Sequence, residues 1–302
     1  MKQRNLCADL SVKKQGEHYS QLVDSSSGNQ RSLFKVVEEV LDKKDDRILP
    51  THTDPLVLAN EFNEYYIEKI DKLRESIPPA VETEPTNSTF KGKKLQTFHP
   101  TNVQEIKEII KEYGIKTSSE DPIPVKILGS VIEVTLPTLE FLVNKSLEEG
   151  SVEGIKHSVI DPLLKKSGLD SEIKKNYRPV NNLVFFSKLI ERIVLKRLDG
   201  HMNENNLNND DAFGYKKHHS TETMMLGISN DILTGFDDNK CTVMMFLDLS
   251  AAFDTIDITK LLTILSQEIG LSGMALKWCE SFHRNRTQRV KINGKYSKRC
   301  RV

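Results

Sequence analysis

Cysteine is scarce in this chain of 302 residues, and its four thiols, Cys7, Cys241, Cys279 and Cys300, form no CxxC pair. That spacing indicates neither a zinc site nor a disulfide framework. Four scattered thiols read as reduced cysteines of an intracellular protein, cytoplasmic or nuclear. No apolar run approaches the roughly 18 residues of a membrane span, so no membrane partner is expected. The opening MKQRNLCADLSVKKQGEHYS lacks the apolar stretch of a secretory signal. Net charge is missing as well, since 43 Lys and Arg balance 43 Asp and Glu. That balance hides an asymmetry. Residues 35–86 carry seven basic against thirteen acidic side chains, whereas residues 277–302 carry nine basic against Glu280 alone. Residues 155–200 hold ten basic against five acidic. Basic later segments behind an acidic front suit a polyanionic partner for the second half, although ordinary solvated surface gives the same counts.

With 37% apolar and 28% charged residues the chain is globular and long enough for one large domain or two ordinary ones. Residues 1–32 are polar and read as a disordered tail. Residues 33–97 read as a helical extension and linker, with helices over Ser32 to Asp42 and Leu56 to Ser76. The second has Leu58, Phe62, Tyr66, Ile70 and Leu73 at helical spacing. A Pro- and Thr-rich stretch from Ile77 to Lys94 follows. The main domain is expected over 98–302, opening on a capping-box pattern at Thr101 to Gln104 and a helix stopped by Gly114. Further helices are expected at about Pro124 to Ile132, Leu136 to Glu149, Ser187 to Leu198, Thr221 to Phe236, Thr259 to Ile269 and Met274 to His283. Ser158 to Leu164 reads as a strand, and Asn293-Gly294 as a hairpin turn.

The segment TVMMFLDLSAAFDTID, Thr242 to Asp257, carries the chemistry. A short apolar run from Val243 to Leu247 fits a buried strand, and it delivers Asp248 at its end. A carboxylate at the mouth of a buried strand needs a partner. A hard divalent cation is one, and a cap on the following helix is the plainer alternative. Aspartyl-phosphate enzymes also place Asp at a strand end, but they need a second Asp two residues on, where this chain has Ser250.

Three blocks precede that segment: Val159 to Lys166 (VIDPLLKK), Asn176 to Leu183 (NYRPVNNL) and Phe213 to Thr223 (FGYKKHHSTET). Each sets a cation in an extended or turn-like context. Pro179 holds Arg178 out of helical geometry, and Arg and Lys suit phosphate as a fork and a point charge respectively. In this order, with FFSKLIERIV, LKWCESF and NRTQRVKING, the blocks resemble the reverse transcriptase domain of non-LTR retrotransposons of the jockey-like group. The resemblance runs from about Leu33 to the end and is strongest from Asp121 to Gly294.

The resemblance implies an α+β fold: a partial right-hand polymerase with helical fingers, an incomplete palm sheet and a helical N-terminal extension. It implies RNA-directed DNA polymerase chemistry with an RNA template, a DNA primer, deoxynucleotide triphosphates and two Mg²⁺ ions at the palm. Asp248 matches the first metal-binding aspartate, with the Leu249 carbonyl beside it. Phe253 matches the aromatic that excludes a ribose 2′-OH. Arg178, Lys165 and Lys216 match nucleotide- or template-contacting positions of the fingers. Arg286, Arg289 and Lys291 are expected on nucleic acid, and Asp254 is expected to secure a turn. The family's aromatic-Asp-Asp hairpin has no match. Asp45-Asp46, Asp210-Asp211 and Asp237-Asp238 are the available pairs, and the last reads as a polar turn. The chain is accordingly expected to be catalytically incomplete. A non-catalytic nucleic-acid-binding remnant and a helical protein-interaction module are the competing readings.

Overall fold

The computed structural model describes residues 48–77, 90–116, 118, 120–249 and 251–302, together with positions 14, 16, 20 and 21. The expected disordered tail and the helix over Ser32 to Asp42 lie essentially outside the described residues. What is described is mixed helix and sheet, with two separate cores.

The larger core is helical. It gathers α2 (Val103–Tyr113), α3 (Val125–Glu149), α4 (Phe185–Glu204) and α7 (Gly273–His283), with α6 (Ile258–Gln267) packed on its edge. Asn102 caps α2 by accepting from Glu105 N at 2.9 Å, one residue later than the sequence pattern suggests. Gly114 ends it at φ 71°, a left-handed value natural only to glycine. The α4 N-terminus has no local cap. Instead Asp121 Oδ1 accepts from Phe185 N at 2.8 Å, so a residue 64 positions away does that work. Trp278 sits edge-on to Phe98, with centroids 5.8 Å apart, and donates Nε1–H to Ser146 Oγ.

The second core joins α1 (Pro55–Ser76) to the sheet. Asp54 caps α1 and Pro55 opens it, a pairing that suits a helix start because proline has no N–H to satisfy. Leu58, Ala59, Phe62 and Tyr66 then face Ile160, Tyr177, Val290 and Ile292. The sheet runs β2 (Tyr177–Asn182), β1 (His157–Leu164), β3 (Thr287–Ile292), β4 (Lys295–Tyr296), with β5 (Cys300–Arg301) also on β3. β1 and β2 are antiparallel, β1 and β3 parallel. Asn293 and Gly294 both take positive φ, as a tight hairpin between β3 and β4 requires.

Two expectations are corrected. Residues 125–149 form one helix through Pro137 instead of two. Burial of Leu136, Leu139 and Val143 against the main core holds the helix together where proline removes one hydrogen bond. Residues 127–149 also have the length and hydropathy of a spanning helix, although no continuous apolar run marks them. In this fold Leu128, Leu136, Leu139, Val143 and Leu147 pack into the helical core.

The second correction concerns the expected buried strand from Val243 to Leu247. This segment pairs with no strand among the described residues, and Val243, Phe246 and Leu247 are each more than 80% exposed. Apolar content marks a segment for burial without naming its neighbour. Here β1 already has β2 and β3 on its two edges, and β3 has β1 and the β4–β5 side. The preceding helix, α5 (Thr221–Asp237), carries a full capping box at Ser220 and Thr223 yet buries none of its own residues.

Candidate nucleic-acid interface

Lys165 follows the last residue of β1, and the β1–β2 register sets Leu163 opposite Arg178 and Leu164 opposite Tyr177. A single 3₁₀ turn, Lys174–Asn176, leads into β2. Lys165 is tied to that turn twice, by N–H to Asn176 O at 2.9 Å and by Nζ to Lys175 O at 2.7 Å. Tyr177 donates its hydroxyl to Ser171 O and so shapes the connecting loop. Burial lowers the Lys165 pKa, and Lys69, Arg178 and Lys175 lower it further. The neighbouring charges that lower it are cations, drawn from β2, from the turn and from α1. Such crowding is unfavourable by itself and is relieved by a polyanion.

A separate cavity of about 500 Å³ is bounded by Glu191 of α4, Asn181 of β2, Phe253, His283 of α7 and Arg286. Glu191 has its pKa raised by burial, with Arg286 pulling the other way. Burial also lowers the His283 pKa, and Arg286 adds to that. His283 and Arg286 border the same cavity. Arg286 stacks 4.8 Å from the Phe282 centroid and donates Nη1–H to Phe282 O. Phe253 is 73% exposed and meets Tyr215 edge-to-face at 6.1 Å. Asp254 N donates to Ala251 O, and Arg74 of α1 donates to Asp254 O at 3.1 Å.

Asp248 and Leu249 do not join this wall; both are exposed on the unpaired segment. Among the described residues no group of three His, Cys, Asp or Glu side chains could hold a metal ion. The donor set around Asp248 therefore does not fit a two-metal site, because Mg²⁺ requires a nearly octahedral oxygen shell. Asp257 spends its carboxylate on α6, accepting from Thr259 N and Lys260 N. Asp237 closes α5 and Asp238 pairs with Lys240 at 2.7 Å, a polar turn as expected. Lys216 stands half-buried in the loop before α5. Arg289 is already occupied: it pairs with Glu120 and lies 4.1 Å from the Tyr296 ring centroid. Lys291 also lies over that ring, with Nζ 5.6 Å from its centroid.

The reverse transcriptase (RNA-dependent DNA polymerase) family profile matches residues 163–301. These residues include the Lys165–Arg178 hairpin, Phe253 and the β3–β4 hairpin. Residues 163–301 are similar in sequence to the reverse transcriptases of jockey-like elements. The probable RNA-directed DNA polymerase from transposon BS of Drosophila melanogaster is 34% identical over 94 residues, 31% of this chain and 10% of that relative. The RNA-directed DNA polymerase from mobile element jockey of the same fly is 24% identical over 155 residues, 51% of this chain and 17% of the relative. The X-element polymerase is 28% identical over 94 residues, again 31% and 10%. The chain thus spans between a tenth and a sixth of these curated relatives. The reverse transcriptase family as a whole uses divalent metal ions.

Sequence reading missed Lys175 within the matched segment and Lys69 and Arg74 outside it. Lys69 and Arg74 lie on α1, far upstream of the match, where the helical period shows only which side is apolar. Their one legible signal is that both sit within a turn or two of Tyr66 on the same helix.

Proposed function

We propose that this chain is the nucleic-acid- and nucleotide-holding part of an RNA-directed DNA polymerase from a non-LTR retrotransposon. The observation that carries the reading is the group of exposed cations on the β1–β2 hairpin, Lys165, Lys175 and Arg178, which Lys69 of α1 joins. In this reading the β1–β2 hairpin belongs to the fingers, and the exposed segment around Asp248 belongs to the palm. Lys165 and Arg178 hold phosphates of the incoming nucleotide or template. The Phe253 ring lies against the sugar, where its bulk opposes a 2′-hydroxyl. Lys216, Arg286 and Lys291 add charge along the template and primer. The family's use of divalent ions points to Mg²⁺, and Asp248 with the Leu249 carbonyl are the groups of this chain that would supply part of its oxygen shell. The described residues do not complete its shell, so no reaction step is assigned to it.

A salt titration of RNA binding tests the reading. Affinity should fall steeply and linearly on a log–log plot as phosphate-bound counterions are displaced. Flat or absent binding would overturn it in favour of a helical protein-interaction module. Nucleotide incorporation by the purified chain on a primed RNA template separates the polymerase from a binding remnant. Because the acidic cluster is incomplete among the described residues, background incorporation is expected, and template-dependent extension would refute that expectation.

A further inference from the structure

Helix α3 turns Leu128, Leu136, Leu139, Val143 and Leu147 into the helical core. Its opposite side is apolar as well. Ile127, Val131, Val134, Phe141 and Leu142 are all exposed, Val134 at 82% and Phe141 at 63%. Ile127, Val131, Val134, Thr138, Phe141 and Lys145 follow one another at steps of four, three, four, three and four residues. That is the spacing of a seam between two packed helices, and Pro137 falls outside the row. The exposed apolar side chains together present roughly 500 Å², a patch of the size that marks an interaction site. Neither end of α3 complements its dipole, which favours anions at the N-terminus and cations at the C-terminus. The first turn holds no acidic residue, and the N-cap, Pro124, supplies no side-chain hydrogen bond. The last turn holds no basic residue and ends on Glu148 and Glu149. Lys145 reaches Glu149 at 3.9 Å, and Lys277 of α7 donates to Glu149 O at 3.0 Å. Glu148 has no cationic partner among the described residues.

We propose that this face of α3 is an interface with a second copy of the chain, in which the two α3 helices pack antiparallel about a two-fold axis. The row reads the same from either end, so an axis near Leu136 maps it onto itself. Ile127 then meets Lys145, Val131 meets Phe141 and Val134 meets Thr138, each pair occurring twice, as an isologous contact requires. Lys145 lays its aliphatic stem along Ile127 and keeps its ammonium in water. The same axis carries Glu148 and Glu149 of each copy to the uncapped N-terminus of the other, which supplies the anion that its own first turn lacks. A parallel pair would instead set Glu148 against Glu148 and Lys145 against Lys145. Roughly 500 Å² from each copy buries about 1,000 Å² in all, the lower bound for a specific interface, so the dimer belongs in the micromolar range. The face lies outside the matched segment 163–301, and the inference does not rest on the proposed function.

Sedimentation equilibrium of the full chain tests the pairing, with circular dichroism and thermal melts to establish that each variant is folded. The parent should be a reversible dimer. Val134→Lys should raise the dimer dissociation constant at least about ten-fold, because it sets unpaired charges at the centre of the seam. Phe141→Lys should do the same, and it carries the comparison should Val134→Lys fail to fold. Both side chains are exposed in a single copy, so neither change should lower the melting temperature where the parent is monomeric. The double variant Glu148→Gln with Glu149→Gln should weaken the dimer about three-fold at low salt and less at high salt. Leu226→Lys is the control: its side chain is 71% exposed on α5, which presents another apolar face, and this variant should pair as the parent does. A parent that stays monomeric through the micromolar range overturns the proposal. So does a dimer that Leu226→Lys dissociates and Val134→Lys leaves intact. Tighter pairing of the double variant overturns the antiparallel arrangement. Because residues 127–149 also have the length and hydropathy of a spanning helix, flotation with phosphatidylcholine vesicles is measured alongside. Flotation of the parent that Val134→Lys abolishes, with no dimer in solution, would assign the face to a lipid surface and overturn the pairing.

Discussion

Asn63 and Gln288, 225 positions apart, meet side chain to side chain at 3.0 Å in a buried hydrogen bond. The Gln288 amide donates, and the Asn63 amide donates in turn to Lys298 O at 2.9 Å. Beside them Phe62 packs edge-on to Tyr177, with centroids 5.1 Å apart. Helix α1 is therefore keyed to the sheet by polar as well as apolar groups. Asn63→Ala should destabilise the chain by about 1–3 kcal/mol by leaving Gln288 unpaired. Phe62→Ala should cost about 3–5 kcal/mol. Urea unfolding measures both, and an unchanged midpoint for Phe62→Ala would show that α1 is not part of the sheet's core.

Glu105 anchors a second long-range contact. Arg197 grips it with two bonds of 2.6 Å each, and Lys196 stands at 3.1 Å. The Arg197 hydrogen bond holds the Glu105 pKa down to about 2, with Thr101 and Lys196 adding to the effect. A depressed carboxylate stabilises the fold above its unfolded pKa, near 4.5, and the contribution fades as pH falls toward 2. Glu105→Gln should therefore lower stability at pH 7 and flatten its pH dependence between those values. Thermal melts across that window decide it; a parallel pH profile in the variant would contradict the assignment.

Lys165 and Arg178 should act on nucleic acid with little effect on folding, since both are exposed. Lys165→Gln or Arg178→Gln should weaken RNA binding several-fold and reduce the salt slope by about one each. The Lys165 pKa should also rise in Arg178→Gln, because a repelling neighbour is gone. Titration of the isotopically labelled lysine would reveal a shift of the wrong sign at once.

Arg289 is committed elsewhere. Its pairing with Glu120 and stacking on Tyr296 tie β3 to the segment before α3. Arg289→Gln should cost about 1–3 kcal/mol of stability, as loss of a charged hydrogen bond does. Its effect on RNA affinity should be smaller than that of Lys165→Gln. Glu120→Gln is the useful companion: if Arg289 serves nucleic acid directly, releasing it from Glu120 raises RNA affinity.

Much of the local structure was legible. Leu58, Phe62 and Tyr66 announced α1 by their spacing, Asn293-Gly294 announced the hairpin, and VIDPLL announced β1. The limits came from contacts that no local window contains. Pro137 suggested a break that packing overrode. The run Val243 to Leu247 advertised a buried strand, yet it stays open because its pattern encodes apolarity and not a pairing edge. The cap of α4 was invisible because Asp121 reaches it from a distant loop.

The order of the motif blocks, and the kinds of side chain in them, belonged to the sequence alone, and they were sufficient to point to reverse transcriptase before any coordinates. Period and turn chemistry are local properties, so helices, the hairpin and the basic character of the β1–β2 loop followed from them. Only the tertiary structure decided that Lys69, four turns into an upstream helix, shares a surface with Lys165 and Arg178. It also decided that Arg289 is paired with Glu120. Charges and hydrogen bonds act across a few ångströms of space regardless of chain distance, and those separations exist only after α1 has docked on the sheet.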